Sequence, residues 1–168
     1  MNRDLLLEKL RRYAFGDGAE KWFKCYLSGR THVTKINNVI SDPQADSVGV
    51  PQGSVLGPLL FVLYINDICN CIDDDVFMNL FADDTLISVE DCDVERACQR
   101  MNGTIRKLED WLNMNKLFIN CTKSKVMHLG IGGGGLSPIY LNDVNLEYAD
   151  SFKSLGVVVD AKLNFKSH

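Results

Sequence analysis

Along the first twelve positions of DLLLEKLRRYAF, Leu6, Leu7, Leu10 and Tyr13 fall on one helical stripe, with Asp4 placed as its N-cap. GDG at 16–18 interrupts that pattern, and AEKWFKCYL predicts a second, short helix. β-Branched alternation in RTHVTKINNVI (30–40) predicts a strand, and a second strand is expected around ADSVGV after the turn at SDP. Residues 54–70, SVLGPLLFVLYINDICN, predict a largely buried helix capped by Ser54. Pro58 falls in its first turn, where a missing N–H costs least. DDD at 73–75 reads as a solvated loop. VFMNLFADDTLISVE then alternates with period two on both sides of a polar centre. Val76, Met78, Leu80 and Ala82 share a face before it, and Thr85, Ile87 and Val89 resume the alternation after it, which predicts a β-hairpin.

The clearest helix is expected over 93–114, where Val94, Ala97, Cys98, Met101, Ile105, Leu108 and Leu112 line one face. Its Met and Cys belong to the core by that spacing. KLFIN predicts a strand leading into TKSKVMHLG, and the glycines of GIGGGG (130–135) a flexible turn without phosphate-loop spacing. The last segment, DSFKSLGVVVDAKLNF, predicts one strand and a tail.

Composition narrows the classes. At 168 residues, 46% hydrophobic and 24% charged, the chain is one domain's worth with enough apolar material for a core. A net charge of -4 argues against an autonomous nucleic-acid binder, without excluding an enzyme whose basic surfaces lie elsewhere on a longer chain. Six cysteines form no CxxC pair, and no His spacing suggests zinc. The start is charged and lacks a signal-peptide core, and the longest apolar run, VLGPLLFVLYI, is too short to span a bilayer. An intracellular protein with reduced thiols, in cytoplasm and nucleus and away from membranes, is the expectation.

The chemistry concentrates in two places. In LFADDTLI (80–87), Asp83 and Asp84 sit side by side within an apolar stretch. Two carboxylates about 5 Å apart repel by about 3 kcal/mol at an effective dielectric near 20. That arrangement fits either a solvated turn or a divalent-metal site. About thirty residues earlier, GVPQGSVLGPLLF combines Pro51, which fixes one backbone angle, with Gly53, which frees another, ahead of the helix capped by Ser54. A glycine beside a helix N-terminus lets another backbone or a phosphate come close.

Together these motifs resemble the palm of reverse transcriptases, in particular those of jockey-like non-LTR retrotransposons. WFKCYLSGRTHVTKINN is similar to the segment ahead of the family's PQGS motif, and FADD to its catalytic hairpin. WLNMNKLFINCTKSK resembles the next motif, whose lysine falls on Lys123, and FKSLGV the primer-grip strand pair with Leu155 and Gly156. The resemblance implies an α+β fold: a partial polymerase palm, an antiparallel sheet with helices packed on one face. It implies RNA-directed DNA polymerase activity, with two Mg²⁺ (or Mn²⁺) ions catalysing nucleotidyl transfer on an RNA template and DNA primer from deoxynucleoside triphosphates. Asp83 is then the principal metal ligand and Asp84 the peripheral one. Lys123 serves the leaving pyrophosphate, while Pro51, Gln52, Gly53 and Ser54 lie under the templating pair and incoming nucleotide.

The family also carries a further metal-binding aspartate on the strand just ahead of its DLL.KL helix. That helix begins here at Asp4, which matches a cap position and is no substitute. The expectation is therefore a palm fragment over 1–168, without the first metal motif, fingers or thumb. The alternative is a catalytically inactive palm remnant acting at most as a binding module. Ser154 stands where the family usually has an aromatic. A receiver-like α/β domain would want its acid pair early in the chain and parallel strands after it.

Overall fold

The computed structural model describes residues 1–46, 48–51, 53–130 and 135–164. Helix α1 (Arg3–Arg12) is capped by Asn2 rather than Asp4: the Asn2 side chain accepts from the Leu5 amide at 3.0 Å. Asn2 has the extended backbone a cap requires, whereas Asp4 is already helical, where its charge complements the positive end of the helix. Helix α2 (Asp17–Leu27) begins inside GDG, two residues ahead of the expected AEKWFKCYL, so that only Gly16 stays outside as its cap; α3 (Leu56–Ile65) packs on α1. Helix α3 is shorter than 54–70 suggested; a separate 3₁₀ turn occupies Ile68–Cys71. The long helix α4 (Val94–Met114) matches its expected span, and its cap Asp93 accepts from the Arg96 amide at 2.9 Å.

Two apolar clusters meet α4, one along its C-terminal half and the other along its N-terminal half. The first joins Leu6, Leu10, Phe23, Leu27, Leu60, Tyr64, Leu108 and Trp111. The second joins Cys98 and Ile105 to Ile139, Leu141 and Leu146. Two polar groups are folded into the first. Lys9 sits at i+3 from Leu6; its Nζ donates to the Tyr64 carbonyl at 2.7 Å and to Asp67 at 2.6 Å, between the rings of Tyr64 and Trp111. Burial pushes the Tyr64 phenol above its usual pKa, and its hydroxyl donates to the Asn115 carbonyl at 2.5 Å.

The strands depart more from expectation. The single strand predicted over 30–40 is three short ones. β1 (Thr31–His32) pairs with β4 (Gln44–Ala45), and between them β2 (Lys35–Ile36) turns back onto β3 (Val39–Ile40). Asn37, with φ +54°, makes the bend that β-branched alternation concealed. The strand expected around ADSVGV reduces to Ala45 in β4: Gly49 turns at φ +75°, and Ser47 lies outside the described residues. β5 (Phe77–Phe81) and β6 (Asp84–Ser88) form the predicted hairpin.

KLFIN is not a strand. Lys116 leaves α4 with φ +51°, Phe118 is 97% exposed, and no described strand lies alongside to pair with it. A hairpin that the hydrophobic pattern missed joins β7 (Tyr140–Leu141) to β8 (Val144–Asn145) through Asn142 and Asp143, both at positive φ. Asn-Asp is a recognisable signal for such a turn. The C-terminal segment holds two strands instead of the one read from its pattern, β9 (Ser151–Ser154) and β10 (Val157–Asp160), paired as the resemblance of FKSLGV implied. Of GIGGGG, residues 131–134 lie outside the described residues, as do 165–168.

The α+β class holds, with four α-helices and antiparallel strand pairs among the described residues. Among the described residues the strands form five separate two-stranded sheets, not one sheet with the helices on a single face. Each pair is two to five residues long and satisfies one edge locally, and no described strand bridges one pair to the next.

Candidate active site

The hairpin turns through Ala82 and Asp83, between the paired residues Phe81 and Asp84. Ala82 takes φ +50°, so it belongs to the turn and not to the strand face first assigned to it. Alternation sends Met78, Leu80 and Ile87 against the first apolar cluster, while Phe77, Phe81 and Leu86 face outward. Asp83 and Asp84 are left exposed at the tip, and among the described residues neither carboxylate has a hydrogen-bond or ion-pair partner.

The base of the hairpin is tied to α4. Arg100 pairs with Asp75 ahead of β5, donates to the Glu90 carbonyl after β6 at 2.7 Å, and lies 3.5 Å from Asp91. Lys107 binds both oxygens of Asp73, at 2.6 and 2.7 Å. The DDD stretch is exposed, as predicted, but two of its three carboxylates are ion-paired to α4. Arg96 grips Asp91 through two hydrogen bonds of 2.7 and 2.5 Å. That guanidinium, helped by the Asp93 amide, holds the Asp91 carboxyl far below the usual carboxylate range.

In the PQGS segment, Gly53 has φ +73° with open space where a Cβ would stand, so glycine serves the backbone angle there. Ser54 does the capping expected of it from just outside the helix: its hydroxyl donates to the Pro51 carbonyl at 2.7 Å and accepts from the Gly57 amide at 3.0 Å. Gly57 closes the turn, since an added Cβ would meet the Ser54 hydroxyl at 3.1 Å and the Pro51 carbonyl at 3.3 Å. Gln52 lies outside the described residues.

Both motifs rest on the same core: Val50 and Leu56 pack against the cluster that receives Met78, Leu80 and Ile87. Lys123 is exposed at the end of a 3₁₀ turn, Cys121–Lys123, that packs through Cys121 on the second cluster. The residues after it, Ser124 and Lys125, share with Thr85 and Ile87 the lining of a cavity of about 160 Å³, so this segment abuts the hairpin. Leu155 (φ +49°) and Gly156 (φ +87°) form the turn of the β9–β10 hairpin and belong to neither cluster. Pattern reasoning missed Arg3, Lys9 and Arg100. Only Lys9 left a signal, its place on the apolar stripe of α1.

The hairpin tip offers hard oxygen donors of the kind Mg²⁺ prefers, a pair that leaves most coordination positions to water and substrate. Among the described residues no group of three or more His, Cys, Asp or Glu is placed to hold an ion. No described helix is long and apolar enough to cross a membrane.

Residues 2–159 match the family model described as reverse transcriptase (RNA-dependent DNA polymerase), and the chain belongs to that family. It is similar to a probable RNA-directed DNA polymerase from transposon X-element of Drosophila melanogaster, 30% identical over 151 residues, covering 86% of this chain and 16% of that protein. It is also similar to the RNA-directed DNA polymerase from mobile element jockey of the same organism, 26% identical with the same coverage, and to one from transposon BS, 29% identical over 153 residues, 86% of this chain and 17% of that protein. The chain thus spans about a sixth of the length of these relatives.

Proposed function

We propose that this chain is the palm portion of an RNA-directed DNA polymerase of a mobile element, and that the larger protein performs template-directed nucleotidyl transfer. The observation that carries this reading is the adjacent pair Asp83 and Asp84, without a partner among the described residues, at the tip of a hairpin whose inner face shares a core with the PQGS segment. When bound, two divalent ions would activate the primer 3′ hydroxyl and neutralise the triphosphate. Asp83 supplies the principal carboxylate to them and Asp84 a peripheral one. Lys123 steadies or protonates the leaving pyrophosphate. Pro51, Gln52, Gly53 and Ser54 form the floor beneath the templating pair and incoming nucleotide, and Leu155 and Gly156 hold the primer. RNA template, DNA primer and deoxynucleoside triphosphates are the partners of this reading. The remaining metal-binding aspartate, the fingers and the thumb belong to other parts of the larger protein.

In-line transfer needs two ions roughly 3.5–4 Å apart, and a misplacement near 1 Å can cost about a hundredfold in rate. The 168 residues alone are therefore expected to give no primer extension with Mg²⁺ on an RNA template. A chain extended through the first aspartate strand and fingers, with a thumb, should extend the primer, and Asp83→Ala should abolish that activity. Extension by the 168 residues alone would overturn the reading. Failure of the rebuilt polymerase would favour an inactive palm remnant.

A further inference from the structure

Arg3 occupies the first turn of α1, yet its guanidinium is spent on a loop more than forty residues away. It donates to the Gly49 carbonyl at 2.9 Å, to the Val48 carbonyl at 3.3 Å and to the Asp46 carbonyl, and it pairs with the Asp46 carboxylate at 3.2 Å. The Gly49 amide in turn donates to the Met1 carbonyl at 2.8 Å. The Arg3 side chain is only 12% exposed, and its bonds to the Gly49 and Asp46 carbonyls are partly buried, where they are stronger, while the bond to Val48 is exposed. A planar guanidinium can serve several carbonyls of one loop at once; an ammonium cannot reproduce that fork.

The loop leads directly into the PQGS turn. Gly49 (φ +75°) stands ahead of it and Gly53 (φ +73°) within it, and glycines at positive φ are the points where a backbone swings most freely. Ser54 restrains the far end through Pro51 and Gly57. Arg3 restrains the near end. We infer that Arg3 is a positioning residue that sets the height of the Pro51–Ser54 turn beneath the incoming nucleotide, and that it couples the turn to the start of α1. The inference rests on the polymerase reading for its consequence, though not for the contact itself. Asp46 is the acidic half of the clamp.

The test has two arms. In the 168-residue chain, Arg3→Ala should speed amide hydrogen exchange at Gly49, Ser54 and Gly57, whose amides are hydrogen-bonded, by about tenfold or more, the size expected for loss of about one strong hydrogen bond, while α4 amides stay unchanged. If the variant loses α4 protection as well, Arg3→Lys decides: it keeps the charge beside Asp46 and should give intermediate exchange confined to 49–57. In a longer, active polymerase containing this chain, Arg3→Ala should raise the KM for the nucleotide by about tenfold with kcat reduced much less, and Arg3→Lys should recover part of that loss. Unchanged exchange at 49–57 in both variants would overturn the inference, as would unaltered nucleotide KM in an active polymerase. An inactive parent polymerase would count against the polymerase reading alone, because the exchange arm still reports on the clamp.

Discussion

Asp83 and Asp84 differ from the triple aspartate at 73–75 in what surrounds them. Asp73 and Asp75 already have Lys107 and Arg100 as counter-charges, whereas the hairpin pair faces solvent without a described cationic partner. A divalent ion therefore gains more at the tip than at the loop. Titration with Mn²⁺ should broaden the amide signals of residues near 83 first, with the 73–75 signals affected later and less. Broadening confined to 73–75 would mean that the pair is merely a polar turn. The hairpin acids and Ser54 were legible because their roles are local: period-two alternation places the acids, and a cap reaches three residues forward. Arg3 was not legible, since three of its partners are backbone carbonyls that carry no side-chain signature and the fourth, the Asp46 carboxylate, lies more than forty residues along the chain.

At the scale of elements, the base of the hairpin and the start of α4 form one electrostatic unit. Arg96 and Asp93 hold the Asp91 carboxylate ionised well below its ordinary range, and Arg100 reaches across both legs of the hairpin. A carboxyl whose folded pKa is depressed adds stability above its unfolded value, near 4, and that stability drains away as pH falls toward the folded value. Thermal midpoints measured from pH 6 down to pH 3 should accordingly fall in the native chain, with the loss concentrated below about pH 4. Asp91→Asn should be less stable at pH 6 and show a shallower acid decline. Parallel declines for the two proteins would remove Asp91 from the acid response. The helix itself was readable from its seven-residue apolar face, but its role as a clamp was not: Asp75, Asp91 and Arg100 are joined only once the hairpin has folded back.

For the whole molecule, Lys9 is where three helices meet. It rises from α1, donates to the last turn of α3 and lies 4.8 Å from the Trp111 ring of α4. Lys9→Met keeps most of the apolar stem but leaves the Tyr64 carbonyl and Asp67 without their donor. An unmet buried acceptor costs about 1–3 kcal/mol, so the melting midpoint should drop by several degrees when followed by tryptophan fluorescence. An unchanged midpoint would mean that apolar packing alone accounts for the contact. The sequence by itself determined α1, α2, α4 and the β5–β6 hairpin, because helical stripes and strand alternation are short-range patterns that the burial of one face enforces. It also determined the family, through PQGS and FADD. Tertiary structure alone decided that 30–45 folds as nested strand pairs, that KLFIN meets no described strand, and that Arg3 and Lys9 turn inward. A strand exists only where a partner edge meets it, and a charge is buried only where distant groups converge to satisfy it.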